Sequence, residues 1–155
     1  MGPAVDIREL KVFEGISPEA IEALSQDVEQ LAFATGEFIL HQHDEAHAIF
    51  VLLSGSVEFL MTVEGVDDLF VGAASQPGAL VGWSVVREPH RYTASVRCAE
   101  PCRVLRLPRR SLAHVLSAHP RDGCKILRAV ADALVGRLED ARALLGPRPK
   151  TAPRA

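Results

Sequence analysis

The spacing of apolar positions changes twice along the chain. Ile21, Leu24 and Val28 recur at three- and four-residue steps, the pattern of one helix face. Ser17-Pro18 stands before them as an N-cap followed by proline at the first helical position, and Glu19 and Glu22 lie near the start, where the helix dipole favours acids. From Leu31 to Leu107 the apolar residues gather instead in short runs, at 31–34, 38–40, 49–53, 57–63, 69–74, 92–98 and 103–107. Thr35-Gly36, Asp44-Glu45, Ser54-Gly55, Gly65, Pro77-Gly78 and Glu100-Pro101 punctuate them, and Asp67-Asp68 reads as the turn between the runs at 57–63 and 69–74. Short strands at this spacing predict a sandwich or jelly-roll barrel.

After Pro108 the period turns helical again. Leu112, Val115 and Leu116 predict a short helix ending near His119-Pro120, and a longer one runs from about residue 121 to 145, stopped by Gly146-Pro147. On that last helix Leu127, Ala131, Leu134, Leu138, Ala141 and Leu145 are spaced 4, 3, 4, 3, 4. Ile126, Val130 and Ala133 add a second strip to its first half only. The stripe fits either packing on the chain's own barrel or a seam with a second copy. The expected organisation is an N-terminal helical segment (1–30), a barrel (31–107), C-terminal helices (108–146) and a Pro-rich, basic, disordered tail (147–155). The predicted fold class is mainly β with flanking helices: a double-stranded β-helix jelly roll, an N-terminal helical segment and a long C-terminal helix.

Composition narrows the setting. The 155 residues are 48% hydrophobic and carry a net charge of −3, so nothing overall attracts nucleic acid. The longest apolar run, residues 48–53, is far short of the roughly 18 that span a bilayer. The first ten residues show neither the basic segment nor the apolar core of a secretion signal. The three cysteines fit no zinc spacing and are expected as reduced thiols in a cytoplasm. Of the 17 cations 14 are arginine, as in proteins of GC-rich bacterial genomes.

Residues 36–58, with Gly36-Glu37, Phe38-Ile39, Asp44, the run at 49–53 and Ser54-Gly55-Ser56-Val57, resemble the cyclic-nucleotide-binding domain family, which includes the sensor domains of catabolite-activator-type transcription factors. Residues 77–112 resemble its phosphate-binding cassette and following strands, and the N-terminal FEGISPEAIEAL its opening helix. His43 replaces the usual turn glycine. The resemblance implies a ligand site at Gly82, Trp83, Ser84, Arg91, Tyr92, Thr93, Ala94 and Ser95, with Ser84 capping a short helix over 84–87. A cyclic phosphate needs an arginine and helix N-terminal amides, and the ribose hydroxyl needs an acceptor. In the resemblance, Trp83 stands where that acceptor glutamate is expected. Tyr92 stands where the phosphate arginine is expected, two residues before Ala94, and Arg91 is displaced by one position. On a strand that displacement turns a side chain to the other face. The site reads either as a pocket remodelled for another small ligand, with cyclic nucleotide the family's candidate, or as a cavity filled by Trp83 and Tyr92.

Two other classes of function match the chain only in part. His41, His43 and His47 with Asp44 and Glu45 approach the first motif of a cupin-like metal enzyme, but His47 occupies the carboxylate position and no second-motif histidine follows Pro77-Gly78. A DNA-binding regulator of this family needs a further helix-turn-helix, and nine residues follow Gly146. No nucleophile elbow, phosphate loop or paired carboxylates appear. The sequence thus predicts a bacterial, cytoplasmic, non-catalytic regulatory or sensor module that takes a small ligand or a protein partner. It is expected to bind no nucleic acid in cis and to enter no membrane, and the last helix is a candidate homodimer seam. A ligand-free assembly module with a filled barrel stands beside it.

Overall fold

The computed structural model describes residues 5–147; the predicted tail, apart from Pro147, lies outside them. After two 3-10 turns at Ile7–Glu9 and Lys11–Phe13, helix α1 covers Pro18–Ser25. The Ser17 hydroxyl caps it by accepting from the Ala20 amide at 3.3 Å.

Eight strands follow among the described residues: β1 Glu29–Phe33, β2 Phe38–Leu40, β3 Ala48–Ser54, β4 Val57–Val63, β5 Val66–Ala74, β6 Leu80–Val81, β7 Ser95–Cys98 and β8 Cys102–Pro108. They form two antiparallel four-stranded sheets, ordered β1-β8-β3-β6 and β2-β7-β4-β5. The mainly-β jelly-roll expectation holds. β3 and β8 are buried on both faces, Val51 with Leu52 and Val104 with Leu105, whereas on β4 and β7 alternation selects Val57 and Phe59, and Val96 and Cys98, for the interior.

Three boundaries differ from the sequence reading. The β4–β5 turn is Glu64-Gly65, with φ of 48° and 83°, so Asp67 and Asp68 belong to β5. Two successive positive φ values give the turn whose twist matches that of a hairpin. β7 starts at Ser95 and not at residue 92, because Tyr92 leaves the ladder: its N–H donates to Asp44 O at 3.0 Å, and the ring turns inward. The short β6 was too brief for a periodicity signal. At His43, φ is 73°, so histidine takes the left-handed conformation that glycine usually supplies.

Helix α2 covers Arg109–Ala118 and α3 covers Pro120–Leu144. Leu112, Val115, Ile126 and Val130 anchor them to the core. The α3 N-terminus is clasped to α1: the Ser17 N–H and hydroxyl donate to the two carboxylate oxygens of Asp122 at 2.9 and 2.6 Å. Lys125 donates to Gly15 O nearby. Gly146, at φ 70°, ends the helix as expected. Leu127, Leu134, Leu138 and Leu145 are 42%, 40%, 50% and 85% exposed, so the long stripe faces away from the barrel and Ile126 and Val130 make the barrel contact.

Candidate ligand-binding site

The turn after β6 and the segment before β7 meet at the mouth of the barrel. Gly82 has φ 80° and sets the start of a 3-10 turn at Trp83–Val86. Gly82 holds the cap position, so Ser84 lies within the turn and does not cap it, and the turn spans 83–86 and not 84–87. Absence of a side chain at Gly82 is required for packing: a Cβ would lie 3.1 Å from Leu40 Cδ2, 3.1 Å from Tyr92 Cε1 and 3.2 Å from Ala48 O.

Gly82, Trp83, Ser84, Tyr92, Thr93 and Ala94 line one cavity, with Leu40, Phe59 and Val96 closing its inner wall. The inner-wall residues were not singled out in the sequence. Their inward alternation on β2, β4 and β7 was the available signal, but it also fits plain core. Arg91 and Ser95 lie outside the cavity. The Arg91 guanidinium donates to His43 O at 2.9 Å in an exposed position. The Ser95 hydroxyl accepts from the Gln42 amide at 2.9 Å.

Little space is left. The cavity volume is about 20 Å³, room for about one water, whereas ligand pockets hold roughly 300–1,000 Å³. The aromatic side chains of Trp83 and Tyr92 line it. Trp83 stacks on Phe59 with centroids 6.0 Å apart at 29°. Tyr92 is buried, and its hydroxyl donates to Ala48 O at 2.7 Å and accepts from Ala48 N at 3.4 Å. β6 pairs only Phe50 and Val51 of β3, so beyond its end the phenol partners the next backbone groups. Burial raises the Tyr92 phenol above its ordinary 10.0, partly opposed by the hydrogen bond from Ala48. No arginine lines this cavity, but Arg87 and Arg91 line an open hollow of about 420 Å³ beside it that shares Ser84, Tyr92 and Thr93.

The histidines of the metal-enzyme alternative diverge. His41 stacks on Phe38 at 4.7 Å, His43 serves the turn, and His47 Nε2 lies 3.7 Å from Glu45 Oε2. Among the described residues no three His, Cys, Asp or Glu side chains converge as metal ligands. Cys98 and Cys102 are buried free thiols, and burial, with Cys102 alongside, pushes the Cys98 thiol up to about 12. Among the described residues no helix is long and apolar enough to cross a membrane.

Comparison with known proteins agrees with this architecture. The family model for the cyclic nucleotide-binding domain matches residues 30–119. Potassium channel KAT1 of Arabidopsis thaliana is 31% identical over 123 residues, covering 78% of this chain and 18% of the channel. The chain likewise spans 22% of potassium channel KAT3 of Oryza sativa subsp. japonica, at 28% identity over 114 residues; it is thus about a fifth of the length of these relatives. A solved structure described as a cyclic nucleotide-binding protein from Geobacter metallireducens superposes with a TM-score of 0.76 at 26% identity, covering 89% of this chain and 99% of that one. The Thermus thermophilus catabolite activator protein gives 0.65 at 25% identity, covering 86% and 61%. With the two jelly-roll sheets, the cassette-like turn and the matched 90 residues in place, the chain belongs to the cyclic nucleotide-binding domain family.

Proposed function

We propose that this chain is a non-catalytic regulatory module that works through protein contacts, with its barrel filled by its own Trp83 and Tyr92. The observation that carries the reading is the cavity of about 20 Å³ bounded by those rings. A cyclic nucleotide inside this cavity would have to displace both rings, and the nearest arginines, Arg87 and Arg91, line only the open hollow beside it. Losing a buried charged partner typically costs about 2–5 kcal/mol of binding. The setting in this reading is a bacterial cytoplasm, where the three free cysteines would remain reduced.

The contact surface is the outer stripe of α3, and its occupant in this reading is a second copy. Leu127, Leu134 and Leu138 stand seven and four residues apart, 42%, 40% and 50% exposed, the spacing that two like helices interdigitate. Sedimentation of the wild type and of Leu134→Glu/Leu138→Glu checks this. A dimer that the double substitution turns into a folded monomer supports it, and a wild-type monomer at high micromolar concentration refutes it.

A thermal-shift titration with cyclic AMP, cyclic GMP and cyclic di-GMP tests the filled barrel. A nucleotide bound at 100 times its dissociation constant would add about 2.7 kcal/mol, roughly 5–10 °C for a domain of this size. No shift is expected with any of them. A saturable shift that disappears in Arg91→Ala would overturn the reading and restore the sensor.

A further inference from the structure

The anchoring of α3 is uneven. Its first half is held by the buried Ile126 and Val130, the Asp122 clasp and Lys125. Beyond Val130 no α3 side chain is buried. One contact stands out on that outer half. Arg137 donates from Nη1 to Ala73 O on β5, and its Nη2 lies 3.2 Å from Asp140 Oδ2. Its guanidinium carbon also stands 5.1 Å from the centroid of the Phe59 ring, within the range of a cation–π contact. Gly72 lies beside this contact, its Cβ position 4.0 Å from both Asp140 Cβ and Phe59 Cδ2.

Phe59 is 4% exposed and has Trp83 stacked against it at 6.0 Å. The three side chains therefore form a continuous pile from the barrel mouth to the last helix, with Phe59 shared between the indole and the guanidinium. Each layer comes from a different part of the chain: the turn after β6, the middle of β4, and the outer half of α3. A ring loosened at one of these contacts loses packing that helps hold it for the other.

We propose that Arg137 is the positioning residue for the outer half of α3 and that Trp83, acting through Phe59, fixes its seat. The side chain that fills the barrel thereby also sets the helix that presents the apolar stripe. This rests on the filled-barrel reading and extends it: the position of α3 is set by the chain's own indole.

Hydrogen exchange of the full chain, read by mass spectrometry over residues 131–144, tests the proposal. Arg137→Ala is expected to speed exchange there on the order of tenfold, while the amides of β3 and β8 keep their protection. Arg137→Lys, which retains the cation, should recover part of the loss. Trp83→Leu alters nothing on α3 itself, yet is expected to speed exchange over the same residues. Combined with Arg137→Ala, it should add little. Should Trp83→Leu lose protection throughout β3 and β8, Trp83→Phe replaces it. Unchanged exchange over 131–144 in Arg137→Ala, or in a Trp83 variant whose barrel is intact, overturns the proposal. Additive effects of the two substitutions overturn it as well. The filled-barrel reading fails separately, through a nucleotide-induced shift of the wild type.

Discussion

Tyr92→Phe removes one oxygen atom from the centre of the candidate site. Tyr92 is 7% exposed and Ala48 is 1% exposed, so no bulk water replaces the hydroxyl. The substitution strands the Ala48 carbonyl, which accepts at 2.7 Å, and weakens the position of its N–H, which donates at 3.4 Å. Only the first bond is short enough to count in full. Leaving a buried backbone acceptor unpaired costs about 1–3 kcal/mol, and we expect about 2 kcal/mol here, with the weak second bond adding little. At about 2–4 °C per kcal/mol, the melting temperature should fall by roughly 4–8 °C. The effect also depends on pH. Because burial raises the phenol above 10.0, the wild-type contribution is complete below the unfolded tyrosine's pKa and is lost as pH rises through the higher folded value. Phenylalanine has no such alkaline limb, so the gap between the two proteins narrows above about pH 10. Tyr92 is the chain's one tyrosine, so the phenolate absorbance reports this group alone. The assay is a pair of melting curves at several pH values with an absorbance titration of the folded wild type. A variant that melts with the wild type, or a phenol that ionises at its ordinary value in the folded protein, would refute the reasoning.

Gly55→Ala should destabilise by about 2–4 kcal/mol in a urea melt, because φ is 91° and the new Cβ would lie 2.4 Å from the Pro101 carbonyl oxygen. Gly65→Ala, at φ 83° with nothing within 4 Å, should cost only about 1 kcal/mol in the same assay. The Ser17 hydroxyl and then its N–H hold the Asp122 carboxyl below its ordinary 3.8. That stability is present above the unfolded pKa and is lost as pH falls through it towards the folded value, so Asp122→Asn should flatten the acid limb of thermal melts taken below pH 5. A thiol reagent at pH 8 should titrate one fast equivalent, Cys124, since Cys98 and Cys102 are buried and Cys98 is pushed up to about 12.

Much of the fold was legible because it rests on local chemistry. The Ser17 cap, the Gly146 stop and the strand at Phe38–Leu40 stand where their residue types place them. The hairpin turn was misplaced because Asp67-Asp68 and Glu64-Gly65 are both turn-like pairs, and cross-strand register, with Val63 opposite Val66, decided between them. Tyr92 looked like strand because β-propensity cannot see that a buried carbonyl of Ala48 waits for a donor. At the site, the resemblance set Trp83 and Tyr92 at anchor positions, but it carried no information on how much space their packing leaves. Cavity volume depends on Leu40, Phe59 and Val96 meeting across three strands. The partner of the α3 stripe was left open for a similar reason: Ile126 and Leu127 are adjacent in sequence and equally apolar, and only the helix's rotation decides which is buried.

The clasp between Ser17 and Asp122 spans 105 positions of sequence. A contact so distant along the chain gains nothing until the intervening barrel has brought its two ends together. A contact that forms this late is expected, when removed, to accelerate unfolding with little change in the folding rate, which stopped-flow folding and unfolding of Asp122→Asn would measure.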